Sequence, residues 1–185
     1  MKSKEEVVQL IDENVDQIHI LIQEKIEIWS NDVLYTPLWW FGVCLSVIPW
    51  IIWIILRKND STDRLLYAGF FVMTISIVLD VLGDQLGLWH YRYNVIPVLP
   101  TYFPWDITLM PVTIMLLIQY KPNINPWVKA IFFSIVTSFV AEPIIEWMEI
   151  YQPLTWKYIY SVPIQLIIYL TAHYITRRDQ FSKLY

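Results

Sequence analysis

Five carboxylates stand in otherwise apolar stretches of this chain: Asp80, Asp84, Asp106, Glu142 and Glu146. One ionisable residue at the centre of a membrane helix costs about 2.5–3.5 kcal/mol, so several together call for a use. Asp80 and Asp84 are four apart, hence on one face of a helix, and Glu142 and Glu146 repeat that spacing. Carboxylates gathered in a low-dielectric pocket cannot all stay ionised. Such a group can hold a proton, bind a cation or donate a proton to a substrate. His90 and Arg92 lie just beyond the first pair, and Trp105 and Trp147 adjoin Asp106 and Glu146, where aromatic rings could line a pocket for a cationic or greasy ligand. The competing reading is structural: the acids hydrogen-bond Arg92, His90, Lys157 and nearby Tyr and Trp side chains and fix helix packing. No metal is expected, because the Glu-x-x-His pairs of carboxylate dimetal sites are missing. No cofactor is expected either.

The elements that must position these acids follow from composition. The chain has 185 residues, 56% hydrophobic and only 16% charged, against roughly 45–50% and 25% for soluble domains. That excludes an ordinary water-soluble enzyme and predicts an all-α integral membrane protein. A net charge of −4 removes the footing for nucleic-acid binding. The single Cys44 allows neither an intrachain disulfide nor a cysteine zinc site. Five segments approach the ~20 apolar residues a bilayer needs: Leu38–Leu56, Leu65–Trp89, Pro104–Tyr120, Trp127–Met148 and Tyr158–Ile175. In the third, Pro104 suits a first helical turn while Pro111 should kink the helix; a re-entrant third segment with four spans is the alternative. Pro143 should likewise distort the fourth span beside Glu142.

Lys and Arg set the orientation. Arg57, Lys58, Arg64, Lys121, Lys129, Arg177, Arg178 and Lys183 fall on one side, and Lys2, Lys4, Lys25, Arg92 and Lys157 on the other. The positive-inside rule then puts the N-terminus outside the cell membrane, the C-terminus in the cytoplasm, and all five acids in the outer half of the bilayer. No cleavable signal peptide is visible. Three regions result: residues 1–34, an acidic amphipathic extracytoplasmic helix; 35–176, the five-span domain; and 177–185, a cytoplasmic tail. In the first, Val8, Ile11, Val15, Ile18, Ile22 and Trp29 keep a near-3.5 spacing. Its acidic polar face favours contact with protein, a second copy or a membrane partner, over lipid; a solvated helix that packs on its own loops, with no partner, is the alternative.

Smaller signals concern the surroundings of the acids. Gly83 and Gly87 form a small-xxx-small pair that could admit another helix. At an offset of 62, Ser76, Asp80, Asp84, Leu88 and Trp89 align with Ser138, Glu142, Glu146, Ile150 and Tyr151, which points to spans 2–3 and 4–5 as parallel repeats with a site between them. Aromatics crowd this side, from Trp89 and Tyr91 to Trp156 and Tyr160, and are read mainly as an interfacial belt. The apolar 90–103 loop should lie in the interface or cap the acids.

The motifs Asp80-x-x-Gly83-Asp84-x-x-Gly87-Leu88-Trp89-x-Tyr91, Pro104-x-Asp106, Ala141-Glu142-Pro143 and Trp156-Lys157-Tyr158-x-Tyr160-Ser161 resemble a family of small five-span membrane proteins common in endospore-forming Firmicutes. The resemblance covers the whole length and implies a fold and a source but no reaction. Residues 65–120 are more distantly similar to the membrane subunits of heterodimeric lycopene cyclases, which carry a Pro-x-Glu-Glu motif. Only Asp106 matches it, with Ile107 where the second acid would stand. That likeness implies an isoprenoid or other lipid ligand. As an enzyme, the protein would use Asp106, helped by Asp84 or Glu142, as general acid toward a lipid double bond. The leading expectation is not an enzyme but a ligand-, ion- or partner-binding membrane protein, of sensor, accessory or transport-related type. A purely structural partner subunit is the third.

Overall fold

In the computed structural model, which describes residues 2–178, the chain is a helical bundle; the expected tail lies mostly outside the described residues. Helix α1 (Lys4–Ile28) opens with a capping box, in which Ser3 and Glu6 satisfy each other's backbone N–H groups. It runs through a π-helical turn, Trp29–Val33, toward α2 (Pro37–Leu56), which starts on a Thr36 cap with Pro37 in its first turn. Then come α3 (Thr62–Gln85), strand β1 (Trp89–Tyr91), a π turn Pro104–Leu109 leading into α4 (Met110–Gln119), and α5 (Pro126–Val136). A second π turn, Thr137–Ala141, leads into α6 (Glu142–Trp147), followed by β2 (Tyr151–Pro153) and α7 (Tyr158–Thr176).

Four helical stretches are long and apolar enough to cross a bilayer: Pro37–Leu56, Asn59–Gln85, Pro126–Trp147 and Tyr158–Thr176. By length and composition this is a membrane protein. The remaining apolar helix, Pro104–Gln119, is shorter; at ~1.5 Å per residue it reaches roughly 24 Å, against a hydrocarbon core of about 30 Å. It sits between neighbours rather than at the rim, with its π turn on α2 and α3 and α4 itself on α3. Helix α7 packs on α5 and α3. Small residues Ala68, Ala130 and Ala172 let these helices meet around Val72, Met110, Ile114, Phe133 and Tyr169. Ile48, Ile51, Ile55 and Phe70 among others stay uncovered by protein, as a lipid-facing surface requires.

Both prolines expected to distort a helix stand just after a π turn. Pro111 follows the Met110 N–H bond to the Trp105 carbonyl, and Pro143 follows Glu142 at the end of Thr137–Ala141. A proline cannot supply the amide that the carbonyl four residues back needs, and the widened turn re-routes the chain ahead of it.

Helix α3 stops at Gln85, earlier than the expected Trp89. Gly87, at φ +66°, closes it with a Gly87 N–H bond to the Asp84 carbonyl and a Leu88 N–H bond to the Gly83 carbonyl, a Schellman arrangement. Helix α6 ends the same way with Glu149 at φ 59°: Glu149 N–H bonds the Glu146 carbonyl and Ile150 N–H the Ile145 carbonyl. The two reversed chains then pair as an antiparallel ladder, Trp89 opposite Pro153, His90 opposite Gln152 and Tyr91 opposite Tyr151. The all-helical expectation holds apart from this small ladder. Gly83 does not admit a helix; a Cβ there would stand 1.9 Å from Cζ2 of Trp89, so the indole folds back onto it.

Candidate functional site

Four helices and the ladder enclose a cavity of about 90 Å³. Ser76 and Asp80 of α3, Trp105 and Asp106 of the first π turn, Glu142 of α6, and Ser161 and Gln165 of α7 line it, with Trp89, Tyr91, Tyr151 and Trp156 around its rim. Three of the five expected acids therefore share one space. Asp84 and Glu146 are not among the lining residues: both lie a turn further along, where the helices end and the chains fold back.

Asp80 is fully engaged. Trp89 Nε1 (2.7 Å) and the Tyr91 hydroxyl (2.8 Å) donate to Oδ1, and the backbone N–H of Tyr102 (2.8 Å) donates to Oδ2. Asp106, 1% exposed, accepts from the Ser76 hydroxyl through Oδ1, and its side chain lies within hydrogen-bonding reach of Asp80. Its Oδ2 meets no N–H or O–H donor, and neither does the buried Oε2 of Glu142. A buried acceptor without a donor costs on the order of 1–3 kcal/mol, and two residues lining the cavity each carry one among the described residues.

The rim is neutral and stays so. Burial pushes the Tyr91 phenol well above its ordinary range, with the charges of Asp80 and Asp106 adding to it. Burial alone does the same to Tyr102, and burial followed by the charge of Glu142 raises Tyr151. Tyr91 stacks on Tyr102 at 5.2 Å and Trp89 meets Trp156 edge-on at 4.9 Å. Of the aromatics expected mainly as an interfacial belt, Trp89, Tyr91, Trp105, Tyr151 and Trp156 line the cavity.

The other expected residues, Trp105 excepted, lie apart from it. Arg92 donates to the Glu149 carbonyl and to Gln152 Oε1, tying the two reversed chains rather than any acid. His90 sits in the ladder near Asp84. Trp105 lines the cavity, whereas Trp147 is 83% exposed and is not among the lining residues. The 90–103 loop meets one of the acids: its Tyr102 N–H holds Asp80, while its Asn94 and Val95 carbonyls accept from Trp29 and Trp39. Sequence reading missed Ser76, Ser161 and Gln165. For Ser76 the signal was there, four residues before Asp80 on the same face. Among the described residues no group of His, Cys, Asp and Glu is placed to hold a metal ion.

No protein-family model matches the sequence, and no curated protein or solved structure is significantly similar to it.

Proposed function

We propose that this is a multi-pass membrane protein that binds a small cationic hydrogen-bond donor, of the ammonium class, between Asp106 and Glu142. The carrying observation is that Asp106 Oδ2 and Glu142 Oε2, both buried and without donors, line one aromatic-walled cavity. An ammonium supplies up to three donors and a charge that both acids and the faces of Trp105 and Trp156 attract. Asp80, already saturated by three donors, orders the wall and leaves ligand contact to the other two. The volume of about 90 Å³ suits an ammonium head or a few waters; drug-sized pockets run to ~300–1,000 Å³. For that reason we favour binding over the isoprenoid chemistry that the lycopene cyclase likeness implies.

The test is titration of methylammonium chloride into detergent-solubilised protein, read by the fluorescence of the cavity tryptophans, with potassium chloride as control. Saturable quenching is expected in the wild type. Asp106→Asn and Glu142→Gln should each weaken it by roughly 10–100-fold, the equivalent of one charged hydrogen bond. Asp84→Asn should leave it unchanged. Saturation that survives both cavity variants would sink the reading.

We also propose that α3–β1 and α6–β2 are a repeated unit about an axis along the membrane normal, with Pro104–Gln119 as a fifth, partly sheltered span. Three features support it at the one offset of 62: Gly87 and Glu149 end their helices in the same closure, His90 pairs with Gln152, and the N–H groups of Arg92 and Leu154 reach the carbonyls of Ile150 and Leu88. Asp80 and Glu142 are then counterparts on two sides of one cavity. The outward N-terminus, the bacterial cell membrane, membership of the Firmicutes five-span family and a protein partner for α1 remain part of this reading. Protease access to α1 in right-side-out against inverted vesicles decides the orientation.

A further inference from the structure

Beyond the two acids, three further buried polar atoms without partners follow one another down the bundle: Gln165 Oε1, Tyr169 hydroxyl and His173 Nδ1, all on α7. Ser138 Oγ, equally unpartnered and fully buried, belongs to the second π turn, which packs against α7. The spacing of four residues puts these side chains on one face of α7, with their Cα atoms about 6 Å apart along the axis. A single water with hydrogen bonds of about 2.8 Å on each side spans that distance. The cavity itself already descends α7 from Ser161 through Gln165 to Ile168. One unmet buried group is tolerable; a file of them at a regular interval, in an apolar bundle, is accounted for when waters fill the intervals.

We propose that the seam of α7 with α5 and the second π turn holds a file of waters that conducts protons between the Glu142 cavity and the opposite end of the bundle at His173. Each step balances. A proton entering the water beside Glu142 displaces one onto the next water, and the hydroxyls of Ser138 and Tyr169 each accept one proton as they release another. Gln165 Oε1 only accepts a hydrogen bond and orients its water. His173 takes the proton on its buried Nδ1 and releases one from Nε2 to solvent, and the ring regains its starting tautomer by passing the Nδ1 proton to Nε2 through solvent, so the net event is transfer of one H⁺ with no electron moved. The charges facing His173 are Lys129 of α5 and Arg177 of its own helix. Lys129 is fixed there by the Leu117 and Tyr120 carbonyls, and Arg177 by that of Pro122.

The path shares Glu142 with the ligand reading but requires no ligand. Full-length protein in liposomes with trapped pyranine, under a potassium diffusion potential, reports the flux directly. Wild-type vesicles should lose an imposed pH gradient faster than protein-free ones. Tyr169→Phe removes one hydroxyl and keeps the ring against Phe133; it should slow the flux at least about tenfold, the scale of one positioned proton-transfer group. Thr74→Val, which removes a hydroxyl bonded to its own helix on α3, should not. If Tyr169→Phe fails to fold, Gln165→Met carries the same test. Wild-type flux equal to protein-free vesicles, or a folded relay variant conducting like wild type, overturns the path. Methylammonium quenching in Tyr169→Phe stays as in wild type if the two readings are separate, so loss of flux with retained binding supports the path. Retained flux with no binding in the wild type overturns the ligand alone.

Discussion

Asp80 and Asp106 are chemically alike and differ in what surrounds them. Asp80 accepts from an indole, a phenol and a backbone amide, so its carboxylate is part of the scaffold. Asp80→Asn turns one acceptor into a donor facing donors, and should cost about 1–3 kcal/mol, seen as a lowered thermal midpoint in detergent. Asp106→Asn can leave its carbonyl on Ser76 and offer its NH₂ to the cavity, so the midpoint should hold or rise. The raised phenols of Tyr91, Tyr102 and Tyr151 give a pH prediction with a definite sign. A folded value above the unfolded one, about 10, means the native state holds those protons more tightly. The associated stability is complete below about pH 10 and is lost as pH rises beyond it. Absorbance of tyrosinate should therefore show these rings ionising only as the protein unfolds. The sequence made the acids legible because charge in apolar surroundings is rare. Gln165, Ser138 and Tyr169 were not legible, since neutral polar side chains occur in many membrane helices and only the folded seam shows that theirs lack partners.

The helices were readable from hydropathy, and both prolines announced distortions, but the ladder was not. Its strands are three residues each, too short for an alternating pattern, and they exist because two helix closures turn the chain back. Those closures make contrasting predictions. Glu149 holds φ 59°, where a Cβ costs about 1–2 kcal/mol, so Glu149→Gly should raise the thermal midpoint. Gly83→Ala should lower it and should also blue- or red-shift the emission of Trp89, since the new Cβ falls within the indole's place. The α3 boundary was misjudged for the same reason: Leu86, Leu88 and Trp89 prolong the hydrophobic run, while Gly87 at positive φ ends the helix.

At the scale of the molecule, α1 stands off from the bundle. None of its residues is buried, and its Val8, Ile11, Val15 and Ile18 are all exposed. Replacing Ile11 and Ile18 by Asp should leave bundle stability within about 0.5 kcal/mol of wild type, whereas Trp29→Ala, which loses the bond to the Asn94 carbonyl, should not be silent. The sequence showed the seam on α1 but nothing to fill it, because periodicity reports a face and not its partner. Helix rotation was likewise beyond reach, which is why the sequence put five acids at one level without saying which of them meet; three share the cavity.

The placement of Asp80 also has a meaning in time. All of its donors lie C-terminal to it and no more than 22 residues along the chain. A ribosome making this protein therefore adds Trp89, Tyr91 and Tyr102 before Glu142 and α7, and the most deeply committed acid has all its donors within its own half of the chain. Glu142 must wait for α7, so the chain enters the bilayer with its scaffold acid settled early and its open one last.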